Sequence, residues 1–112
     1  MSWEQKLSAF TNDIQGSVAG KDQMIMEQLV RNENECYNSA GNDSEKFVKC
    51  MTNTMKKLEK EEKRFEFRMA FFQAKTAECF KNSTDDQSLD KCKTDALKNL
   101  ESYFTDFIKN IQ

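Results

Sequence analysis

Apolar residues recur along nearly the whole chain at helical spacing. Trp3, Leu7, Phe10 and Ile14 follow steps of four, three and four, which places them on one stripe of a helix. Ser2-Trp3-Glu4-Gln5 supplies its start signal, a serine oxygen placed to accept from the Gln5 amide while the Gln5 side chain reaches back. Gly16 and Gly20 then interrupt, so the pattern predicts a short leading helix over residues 2–15 with a loose joint after it. Met24, Ile25, Leu29, Val30 and the Cys36-Tyr37 pair predict a second helix over 21–40, with Gly41 placed to take the left-handed conformation that ends it. From Asp43 or Ser44, either a competent N-cap, a stretch without Gly or Pro runs to Asn82. At about 1.5 Å per residue this 44–82 helix is nearly 60 Å long. Met51, Met55, Leu58, Glu62, Phe65, Met69, Phe72, Thr76 and Cys79 form its heptad seam, with Glu62 and Thr76 the clearly polar members. A last helix over 88–111 carries a wide apolar face that includes Leu89, Cys92, Leu97, Leu100, Phe104 and Ile111.

Composition narrows the fold class to all-α. With no Pro and three Gly in 112 residues, the chain lacks the punctuation of a many-turned β fold, and its length suits a single domain over 1–112. A formal charge of −2 argues against a nucleic-acid partner, which requires a basic footprint. No apolar run approaches the 18 or so residues that span a bilayer, so membrane contact is expected to be lateral, peripheral to a membrane rather than across it. The charged centre KKLEKEEKRFEFR mixes both signs at i,i+3 and i,i+4 spacing and reads as a solvated, self-paired face.

The chain writes one motif twice: ECYNSAGNDSEKFVKC at 35–50 and ECFKNSTDDQSLDKC at 78–92. Each copy opens on Glu-Cys-aromatic, passes through turn-forming residues and closes on Lys-Cys before an amphipathic run. Four Cys allow three pairings, and sequence alone does not choose among them. In an antiparallel helical hairpin, however, a residue just over one turn before the loop faces one just over one turn after it. Cys36 with Cys50, and Cys79 with Cys92, satisfy that condition, whereas other pairings link distant helix ends or staple two hairpins together. A supercoiled central helix would set its two neighbours in adjacent grooves of a three-helix bundle. The expected fold is therefore a pair of disulfide-stapled antiparallel hairpins sharing one long central helix, a three-helix bundle plus the short N-terminal helix. Metal is not expected, because zinc sites use closely spaced ligand pairs and the chain has no His. Redox catalysis would want C-x-x-C, which is absent. Four reduced structural thiols in a cytosolic bundle are the plain alternative.

Disulfides imply an oxidising compartment, and the first twenty residues, with Glu4 and Asp13 and no apolar core, read neither as a secretory signal nor as a matrix presequence. The mitochondrial intermembrane space accommodates both observations. Over about residues 21–111 the chain resembles the twin-cysteine helical-hairpin proteins of that space, above all the small translocase chaperones. The inner cysteines of that pattern map onto Cys36 and Cys50, and onto Cys79 and Cys92; its outer cysteines fall here at Asn32, Thr54, Lys75 and Ala96. The resemblance implies two overlapping helical hairpins, and the residues themselves lead to the expectation of a non-enzymatic, cofactor-free protein that acts through its helix faces. The rival location is secretory, for which Asn42-Asp43-Ser44 and Asn82-Ser83-Thr84 offer glycosylation sequons.

The absence of His, of a phosphate loop and of any base beside a nucleophile leaves no catalytic residue to name. Nine Phe and six Met exceed what one seam buries, so Trp3, Phe67, Phe71, Phe80, Phe104, Phe107 and Ile108 are the candidate partner-binding residues, unless the leading helix folds back over them. The expected role is an accessory subunit bound to other subunits of a respiratory assembly on the inner membrane. A chaperone for hydrophobic precursors and a secreted stapled protein are the alternatives.

Overall fold

A computed structural model describes residues 2–112. The chain forms three α-helices, α1 over Trp3–Ala40, α2 over Ser44–Asn82 and α3 over Asp86–Ile111, in a rod of 63 × 21 × 17 Å. α2 is the spine. α1 and α3 both run antiparallel to it, side by side, and bury the seam between them.

The stapled bundle matches the expectation from sequence, but the leading segment does not stop where its glycines suggested. α1 runs unbroken through Gly16 and Gly20 for 38 residues. Two helical glycines cost about 1 kcal/mol each relative to Ala. Packing outweighs that cost, because the stripe continues across them: Ile14 is buried, and Val18 and Ile25 lie against the same core as Trp3, Leu7 and Phe10. A Cβ added at Gly16 or Gly20 would meet nothing within 4 Å. Gly20→Ala should therefore raise the unfolding free energy by about 0.5–1 kcal/mol, read as a higher melting temperature. A broken helix at this point would show no gain.

The ends of the helices are built locally. Ser2 and Gln5 form the expected capping box, the Gln5 amide donating to Ser2 Oγ at 3.2 Å and Ser2 N–H donating to Gln5 Oε1 at 3.0 Å. Gly41 does take positive φ, but at φ 61 and ψ −119 it opens a type II′ turn rather than a left-handed cap, and Asp43 N–H donates to the Ala40 carbonyl at 3.1 Å. Asp43 then accepts from the Glu45 and Lys46 amides to start α2. α3 opens two residues earlier than its apolar pattern suggested, on Asp85, whose carboxylate accepts from the Ser88 amide at 2.7 Å. The Ser88 backbone bond, reinforced by its hydroxyl, holds the Asp85 carboxyl below its ordinary range.

The seam itself is shifted from the expected one. Leu58, Phe65, Met69, Phe72 and Thr76 face inward as predicted, but Glu61 is buried in place of Glu62, Phe80 faces inward while Cys79 is exposed, and Met55 lies outside at 46 % exposure. Glu61 is kept inside by a partner, since Asn110 Nδ2 donates to Glu61 Oε2 at 3.2 Å. Phe80 fills the space between α1 and α3, its ring stacked on Phe10 at 5.5 Å.

Candidate partner-binding surface

Both staples form as the hairpin geometry required: Cys36–Cys50 with Cα atoms 5.5 Å apart and Cys79–Cys92 with Cα atoms 5.8 Å apart. The hairpins they close differ in cover. Beside Cys79–Cys92 all three helices pack, with Leu89, Cys92 and Phe80 in the core. α3, at 26 residues, is shorter than its neighbours and ends before it reaches the other turn. Its last carbonyl, on Ile111, accepts from buried Asn32 Nδ2 at 2.7 Å, and Asn32 Oδ1 accepts from Gln28 Nε2 at 2.9 Å. A polar layer of Gln28, Asn32, Glu61 and Asn110 thus closes the end of α3. Within it Asn32 satisfies the Ile111 carbonyl, one of the acceptors that a helix C-terminus leaves free.

Past that layer the rod is two helices thick, and its Cys36–Cys50 bond is sheltered on one side by Ile111. The cleft there, about 400 Å³, is lined by Asn32, Glu35, Asn53 and Lys57 together with the cystine and Ile111, so it mixes polar and apolar walls. Exposed apolar residues lie elsewhere on the surface, both level with the end of α3 and past it. Met26, Val30 and Tyr37 on α1 are 61, 53 and 69 % exposed, and Val48 and Met55 on α2 are exposed as well. The antiparallel register that sets Cys36 beside Cys50, and Phe10 beside Phe80, brings Met55 level with about Asn32, between Val30 and Tyr37 in height along the rod.

The residues singled out from sequence divide sharply. Phe80, Phe104 and Phe107 are core residues, 1, 4 and 6 % exposed, and do not present a surface. The straight course of α1 is the reason for Phe80, which Phe10 covers. Phe65 takes up the other two, with ring centroids 4.8 Å from Phe104 and 5.6 Å from Phe107. Trp3 is half-buried against the core and Ile108 is half-buried. Phe67 and Phe71 alone of the set stand in solvent, at 70 and 57 % exposure, with Lys75 Nζ 5.7 Å from the Phe71 ring centroid.

The sequence reading missed this outer face of α1. Val30 and Tyr37 counted there as members of one helical face, yet the spacing 26, 30, 37 forms a separate stripe from 25, 29, 32 and 36. That second stripe was the available signal. No helix among the described residues is long and apolar enough to cross a membrane. Comparison with family models, with curated proteins and with solved structures returns no significant match.

Proposed function

We propose that this chain is a non-catalytic binding protein, an accessory subunit on the intermembrane-space side of a mitochondrial inner-membrane respiratory assembly. The observation that supports it is the set of exposed apolar side chains on the outer face of α1, Met26, Val30 and Tyr37, and on α2, Val48 and Met55. Apolar side chains grouped this way on a small rod favour a protein surface that removes them from water, and Tyr is among the residue types that most often anchor such contacts. The cystines suit the compartment, since a rod this thin keeps a shallow core and gains from cross-links that an oxidising space maintains.

Native electrophoresis of mitochondria carrying the tagged protein tests the reading. The protein is expected to migrate with a large inner-membrane complex in fixed stoichiometry. Val30→Asp with Tyr37→Asp should weaken that association at least about tenfold while leaving the fold intact, because both side chains point to solvent. Migration as a small soluble oligomer that binds hydrophobic peptides reversibly would contradict the subunit reading and favour a chaperone. Glycans on Asn42 or Asn82 would place the chain in the secretory route instead.

A further inference from the structure

The outward face of α2, opposite the side that α1 and α3 cover, is a basic ridge. Lys46, Lys49, Lys56, Lys60 and Lys63 follow steps of three and four along it, with Asn53 the one uncharged position among them, and all are exposed. The same ridge continues into Phe67 and Phe71, the exposed aromatic pair, and then Lys75 and Lys81. Although the chain as a whole is acidic at −2, seven of its seventeen Lys and Arg residues line this one ridge. Glu59, Glu62 and Glu66 lie on the adjoining flank, and Glu78 is the one carboxylate on the ridge beyond the phenylalanines. Glu59, Glu62 and Glu66 line a shallow groove with Lys56, Lys60 and Lys63 without closing an ion pair on them; the pair that forms among the described residues is Arg68 with Asp106, at 3.3 Å, away from the ridge.

From this we infer that the outer face of α2 is a docking surface for an anionic lipid bilayer, on which the rod lies flat with Phe67 and Phe71 entering the headgroup region. The geometry favours a plane. From Lys46 to Phe71 the ridge extends about 38 Å along one unbroken helix, and a ridge of that kind meets a flat surface along its length. The phosphates of a duplex turn away from such a line. The two rings stand out from a convex ridge, where a protein partner would need matching pockets but a soft interface yields to them. Lysines flanking aromatic side chains are the composition that anionic interfaces attract, with each cation near the surface worth about fivefold in partitioning. This surface is a different face of the rod from the one that carries Met26, Val30 and Tyr37 on α1, so the inference does not depend on which protein binds those residues.

The test is co-sedimentation of the intact, oxidised protein with vesicles of phosphatidylcholine alone and of phosphatidylcholine with about one-third cardiolipin or phosphatidylserine. Binding is expected on the anionic vesicles, at least about tenfold weaker on the neutral ones, and falling as salt is raised. Lys60→Glu with Lys63→Glu, and independently Phe67→Ser with Phe71→Ser, should each lower partitioning at least about tenfold without changing helical content. Absence of binding, equal binding to both vesicle types, or ridge variants that bind as the parent does would overturn the proposal. Preference for duplex DNA over anionic vesicles would do so as well. None of these outcomes bears on co-migration with a protein complex, so the two readings fail separately.

Discussion

Phe80→Ala is expected to lower the unfolding free energy by about 3–5 kcal/mol, the cost of emptying a closed aromatic site in a core. Its ring is 1 % exposed, stacks on Phe10 and belongs to the cluster where all three helices converge with Leu89. The Cys79–Cys92 bond, at the residue next to Phe80, holds α2 and α3 at a fixed spacing, so these two helices cannot close over the void. Small domains are stable by only about 5–15 kcal/mol, so the variant should melt tens of degrees lower or populate unfolded chain at room temperature. Phe67→Ala, thirteen residues earlier on the same helix but 70 % exposed, should change stability by less than about 0.5 kcal/mol. Urea titration of the two variants side by side checks the contrast. Equal losses would mean that Phe80 is not covered by α1.

Removing either staple comes next in size. The cystines join residues 14 and 13 apart in sequence, and cross-links closing loops of this length stabilise a fold by about 3 kcal/mol, chiefly by restricting the unfolded chain. The two removals should nevertheless differ in where the folded molecule loosens. Cys36→Ser with Cys50→Ser frees a stretch in which α1 and α2 have no third helix over them. Hydrogen exchange should therefore quicken for backbone amides from about residue 33 to about residue 55 well before global unfolding. Cys79→Ser with Cys92→Ser acts where the core is thickest, and there protection should fall uniformly with the global stability. Parent-like melting of both double variants would show that the cystines contribute nothing to the fold.

The architecture was legible because its signals are local. The Ser2–Gln5 box, the turn at Gly41, the unbroken 44–82 stretch and the repeated Cys motif each depend on neighbours in sequence, and each is present in the fold. What misled was the weighing of local against tertiary energies. Gly16 and Gly20 read as a joint because glycine is a poor helix former, yet a stripe from Trp3 to Cys36 on one face holds the helix through them. The choice between Glu61 and Glu62 turned on Asn110, a partner 49 residues away that no pattern within the helix reveals. The surface was the least legible part. Phe80, Phe104 and Phe107 lie off a two-helix seam but inside a three-helix one, whereas Val30 and Tyr37 lie on a stripe of α1 turned away from both neighbouring helices. Which stripe of a helix its neighbours cover is set by packing of the whole rod.

The measurement that bears most directly on the stapled rod is peptide mapping of the native protein, digested with trypsin after alkylation without reduction. Fragment 32–46 should emerge bonded to fragment 50–56, and fragment 76–81 to fragment 92–93, with no alkylated cysteine. Alkylated Cys36, Cys50, Cys79 and Cys92, or cross-links joining one hairpin to the other, would contradict the fold and with it the oxidising compartment.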